Sequence, residues 1–64
     1  MQCNGKDLTL TAPLTVREFL TAQGFDPARV AMERNGAVVR RADFDTVQIT
    51  DDDRVEIVQF VGGG

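Results

Sequence analysis

Two Asn-Gly dipeptides, Asn4-Gly5 and Asn35-Gly36, each sit between short strand-like runs, and this pairing constrains the chain more than any other feature. A two-residue hairpin turn matching the twist of its strands needs positive φ at both central residues, which Asn-Gly supplies at the lowest steric cost. Met1-Gln2-Cys3 before the first turn and Leu8-Thr9-Leu10-Thr11 after it predict an opening β-hairpin. Val30 to Arg34 before the second turn and Ala37 to Arg40 after it predict another. Between the hairpins, Thr15 and Glu18 stand at capping-box spacing, with Leu14 and Phe19 at the N′ and N4 positions of a hydrophobic staple. A helix therefore starts at about residue 16. Val16, Phe19 and Leu20 form its apolar stripe, while Arg17, Glu18 and Gln23 can face water. Gly24 suits a left-handed C′ position with Phe25 against Leu20, which stops the helix near Gln23 before Asp26-Pro27 turns the chain.

After the second hairpin, Arg41 to Asp45 is polar around Phe44, a short turn pinned by one aromatic anchor. Thr46 to Thr50 reads as a short strand, Asp51-Asp52-Asp53 as a solvated turn, and Arg54 to Val61 as a longer last strand. The order ββ, α, then strands predicts an α+β fold in which a mixed sheet of four to five strands packs on one helix. Residues 1–61 are expected to form one domain and residues 62–64 a flexible glycine tail. A chain of 64 residues buries only about 60% of its unfolded surface, which leaves no room for a deep enzyme cleft. Cys3 is the only cysteine and there is no histidine, so neither an internal disulfide nor a zinc site is expected. No basic leader and no run of about 18 apolar residues stands in the sequence, so a cytoplasmic protein with no membrane contact is expected. Seven basic and ten acidic residues give a net charge of −3, which disfavours nucleic acid and favours a protein partner with a basic docking face.

The last strand leads straight into Gly62-Gly63-Gly64, and this suggests chemistry on the terminal carboxylate. A carboxylate is ionised in the cell and a poor electrophile, so its use requires a mixed anhydride such as an adenylate formed by a partner enzyme. Glycine lets a partner's channel close tightly around the backbone, and three extended residues reach about 10 Å into a recessed site. Along the strand, Val55, Ile57, Gln59 and Val61 share one face, and Glu56, Val58 and Phe60 the other. One helix covers one face of a small sheet, so with Val55 and Ile57 in the core, Val58 and Phe60 stand exposed as a docking patch just before the tail. The competing placement has Phe60 folding over the sheet edge to complete the core.

Other motifs carry less. The three aspartates lack the alternate ligands, central glycine and closing glutamate of a calcium loop. Cys3 alternates with polar neighbours, the pattern of a buried small hydrophobe rather than a sulfur-relay thiol. Glu33, Arg34, Arg40 and Arg41 surround the second hairpin and read as solvated charges that discourage edge aggregation. With no histidine, phosphate-binding glycine motif or nucleophile elbow, there are no candidate catalytic residues, and the chain reads as a carrier, not an enzyme.

Asn4-Gly5-Lys6, Thr15 to Leu20, Val30 to Gly36 and above all Arg54 to Gly64, a hydrophobic strand closing in Phe-Val and glycines, resemble the sulfur carriers of thiamin biosynthesis, the ThiS family of ubiquitin-like β-grasp proteins. The resemblance covers essentially the whole chain; Asp52-Asp53 departs from the Gly-Asp common in the family. It implies that an E1-like adenylyltransferase, ThiF-like, uses ATP and magnesium to adenylate Gly64. A persulfide supplied through a cysteine desulfurase then converts Gly64 to a thiocarboxylate, whose sulfur a ThiG-like thiazole synthase takes. Gly62 and Gly63 thread the tail, Val58 and Phe60 dock, no cofactor or metal is bound by the chain, and the carrier alone is a monomer. A carrier for molybdopterin or another pathway, a ubiquitin-like modifier joined to lysines, and a plain β-grasp interaction module with an inert tail remain as alternatives.

Overall fold

The computed structural model describes residues 1–60. In chain order, β1 spans Gln2–Cys3, β2 Lys6–Asp7, β3 Leu14–Thr15, α1 Val16–Ala22, β4 Val30–Arg34, β5 Ala37–Val39, β6 Gln48–Ile49 and β7 Arg54–Gln59. Single 3₁₀ turns at Pro27–Arg29 and Arg41–Asp43 link them. Five strands form one mixed sheet in the order β2-β1-β7-β4-β5, and β3 with β6 makes a separate two-stranded ribbon. β7 lies in the centre, parallel to β1 and antiparallel to β4. One helix on a five-stranded mixed sheet is the β-grasp arrangement that the resemblance implies.

Both Asn-Gly turns form as predicted, with φ of 51° and 52° at Asn4 and Asn35 and positive φ at the glycines after them. The first hairpin returns at Lys6–Asp7, however, and not at Leu8 to Thr11. A two-residue turn pairs its immediate neighbours, so Cys3 must face Lys6. Met1 and Leu8 still exchange hydrogen bonds of 2.9 Å each, but the Leu10 amide donates to the Asp51 carboxylate and leaves the ladder. The predicted strand 46–50 shortens to β6 because the Thr46 and Val47 amides both donate to the Asp43 carbonyl and close a turn. Leu14 and Thr15, read from sequence only as a helix start, also pair with Ile49 and Gln48.

The helix has the ends its sequence encodes. Thr15 Oγ1 accepts from the Glu18 amide at 3.1 Å, and Glu18 Oε1 accepts from the Thr15 amide at 2.9 Å, a complete capping box. At the other end Gly24 takes φ of 86°, the Phe25 amide donates to Leu20, and the Gly24 amide to Thr21, a full Schellman closure. The apolar stripe Val16, Phe19 and Leu20 joins Cys3, Val30, Met32, Val55 and Ile57 from the sheet, with Phe44 and Ile49 from the connections, in one core. Phe44 is 1% exposed and is the anchor of its turn.

Candidate docking face

β7 is hydrogen-bonded along both edges, so its alternating side chains have fixed directions. Val55 and Ile57 point into the core at 0% and 7% exposure, and Val58 and Phe60 lie on the opposite face at 61% and 53%. Phe60 therefore does not fold over the edge into the core. Val38 on β5 is 71% exposed and was not singled out from the sequence. Part of its signal was available, since the Asn35-Gly36 turn puts Val38 opposite Glu33 and on the same face as Ala31; the structure then sets Ala31 opposite Val58. This apolar surface precedes the glycines by covalent continuity. Gly62, Gly63 and Gly64, the tail residues, lie outside the described residues, as does Val61, the expected end of the strand.

The two hairpin asparagines also hold the platform, a role that sequence reasoning missed. β1 reaches along β7 only to the Cys3–Val55 rung. Asn4 extends that edge with its side chain: Oδ1 accepts from the Ile57 amide at 2.7 Å and Nδ2 donates to the Ile57 carbonyl at 3.3 Å. On the other edge Asn35 Oδ1 accepts from the Arg54 amide at 2.9 Å, and the Asn35 amide donates to the Arg54 carbonyl at 2.8 Å. The Phe60 amide, one residue past the assigned strand, donates to the Arg29 carbonyl at 2.8 Å. Backbone groups of β7 that a short neighbour would leave unpaired are thus satisfied by side chains and by loop backbone.

Asp53 corrects the reading of a uniformly solvated acidic turn. It is 5% exposed and accepts from the Thr50 amide at 2.8 Å, Asn35 Nδ2 at 2.9 Å and Arg34 Nε at 3.0 Å. Burial pushes its carboxyl up, but the Thr50, Asn35 and Arg34 hydrogen bonds and the guanidinium charge together hold it below its ordinary value. Asp51, on the exposed part of the turn, is held low first by the Leu10 amide and then by the Met1 ammonium. Arg34 is likewise not a freely solvated charge, and neither is Arg41, whose Nη2 donates to the Val30 carbonyl at 3.1 Å.

Cys3 is buried at 8% exposure and desolvation raises its thiol pKa, the opposite of what a reactive thiolate requires. Two open surface hollows of ≈ 240 Å³ each lie beside β5 and beside the first hairpin. Both fall below the roughly 300–1,000 Å³ of small-molecule sites. Among the described residues no group of three or more acidic or cysteine side chains is placed to hold a metal ion, and no helix is long and apolar enough to cross a membrane. The arrangement can present one exposed sheet face, with apolar and charged groups, to a macromolecule.

A family model described as the ThiS family matches residues 1–64. The chain is 34% identical over 65 residues to the sulfur carrier protein ThiS of Bacillus subtilis, covering 100% of this chain and 98% of that protein. It is 43% identical over 61 residues, 95% of its own length, to the thiazole synthase of Magnetococcus marinus, of which it spans only 19%. The crystal structure of the thiamine biosynthesis protein ThiS from Geobacter metallireducens matches the fold with a TM-score of 0.80 at 38% identity, covering 98% of this chain and 96% of that one.

Proposed function

The chain belongs to the ThiS family, and from that premise we propose that it is a sulfur carrier of thiamin biosynthesis whose working group is the Gly64 carboxylate. An E1-like adenylyltransferase of the ThiF type joins that carboxylate to the α-phosphate of ATP with magnesium, and pyrophosphate leaves. The terminal sulfur of a persulfide, charged by a cysteine desulfurase, attacks the activated carbonyl and AMP leaves; a thiol then reduces the resulting sulfur–sulfur bond and frees the thiocarboxylate. A ThiG-type thiazole synthase takes the sulfur. The chain itself is a co-substrate and not a catalyst. ATP and magnesium occupy the activating partner's site, and the exchange takes place in the cytoplasm, where ATP is available. Val58 and Phe60 dock the body while Gly62 and Gly63 thread the tail.

The observation that carries this reading is the match along the whole chain to a carrier of nearly the same length. The similarity to a segment of a thiazole synthase supports that enzyme as the acceptor, because a segment like this one sits within its chain. The exposure of Val58 and Phe60 next to the glycines supports the docking role. The test is mass spectrometry of the C-terminal fragment after incubation with the adenylyltransferase, ATP-magnesium and sulfide. An ATP-dependent replacement of oxygen by sulfur located on Gly64 is expected. Since oxidation of Met1, Met32 or Cys3 adds nearly the same mass, a shift found only on those residues, with no adenylate on Gly64, overturns the reading. An isopeptide bond to lysine in place of the sulfur product identifies a modifier.

A further inference from the structure

The register of the central strands sets Glu33 directly opposite Glu56 on the open face. Side chains at directly opposite positions start about 4.5–5.5 Å apart at Cβ, and like charges placed so destabilise a sheet. Four arginines are within salt-bridge distance of acids elsewhere: Arg17 of Asp45, Arg29 of Asp26, Arg34 of Asp53 and Arg40 of Asp43. Arg41 reaches the Val30 carbonyl. Arg54 stands two residues before Glu56 on the same face, yet among the described residues no ion pair includes Glu33 or Glu56. The pair is also flanked by apolar surface, with Val38 opposite Glu33 and the Ala31–Val58 rung beside it.

We propose that the Glu33–Glu56 pair is the electrostatic part of the docking face and receives an arginine or lysine side chain of the sulfur-accepting enzyme, whose neighbouring apolar groups cover Val38, Val58 and Phe60. The inference rests on the carrier reading, which supplies a protein partner for this face. Charge complementarity selects the occupant. Two carboxylates that have no ion pair among the described residues, on a chain of net charge −3, disfavour an acidic or phosphate-bearing surface and favour a basic one. Covering the flanking valines removes water around the charges and strengthens the contact.

The experiment is binding of the full chain to purified thiazole synthase, titrated between about 50 and 500 mM salt, where screening of exposed charges becomes strong. Glu33→Gln, Glu56→Gln, the double variant and Phe60→Ala are compared with the unaltered chain, and melting temperature is measured for each. Expected at low salt is a loss of about tenfold in affinity for the double glutamine variant, with a flatter salt dependence and an unchanged or higher melting temperature. Weaker binding without any loss of stability is what a merely structural role cannot produce. Unchanged affinity and salt dependence in the glutamine variants, with weaker binding by Phe60→Ala, overturns the inference and leaves the carrier reading standing. Loss of affinity together with a fall in melting temperature overturns it too. Binding indifferent to all four variants, or absent from the unaltered chain, overturns the open face as the docking surface, while the sulfur shift on Gly64 independently decides whether the chain is a carrier.

Discussion

Asp53 is the last of three successive aspartates, and nothing in its immediate neighbours separates it from the other two. The difference comes from Asn35 and Arg34, which the second hairpin brings against the start of β7. Its depressed carboxyl pKa means that the folded state favours the ionised form. The resulting stabilisation is fully present above the unfolded value of about 3.9 and is lost as pH falls through the lower folded value. We expect Asp53→Asn to lower stability at neutral pH by about 1–3 kcal/mol, through donors that lose a charged acceptor. Denaturant melts at neutral pH and below pH 4 check this: the gap between the variant and the unaltered protein narrows in acid, and a gap independent of pH contradicts the assignment.

At the scale of elements, α1 is only seven residues long, about two turns, and depends on its ends and its packing more than on propensity. Both ends were legible because capping box and Schellman closure are local chemistry, written within three to five residues of one another. Thr15→Ala removes the acceptor for the Glu18 amide and is expected to cost about 1 kcal/mol, read as a lower denaturant midpoint with an unchanged slope. Gly24→Ala meets no atom within 4 Å of its new Cβ, so its cost, about 1–2 kcal/mol, comes from the left-handed backbone alone. Strand lengths were less legible. The opening return strand was set nearer the turn by the register that Asn4-Gly5 imposes, Leu10 was drawn off by Asp51 41 residues away, and β6 was shortened by hydrogen bonds to the Asp43 carbonyl, partners that alternation of side chains does not encode.

For the whole molecule, the two faces of β7 separate stability from recognition. Ile57→Ala, in the core, is expected to cost about 2–5 kcal/mol. That is most of what a domain of this size possesses, since stability runs at roughly 0.05–0.15 kcal/mol per residue. Phe60→Ala, at a half-exposed site, is expected to leave the melting temperature within a few degrees while weakening partner binding. Thermal melts of the two variants side by side check the contrast, and comparable unfolding of both places Phe60 in the core after all. The sequence by itself determined both Asn-Gly turns, the capped helix, the Phe44 anchor and the alternation that puts Val58 and Phe60 on one face of the last strand, because each depends on φ preferences, capping spacing or the two-residue period of a strand. Only the tertiary structure decided that β7 is the central strand, that Asn4 and Asn35 clamp it from both sides, that Asp53 is buried, and that Glu33 faces Glu56. Those facts depend on which distant segments become neighbours, and burial of one shared core selects them from pairings that local patterns leave equally open.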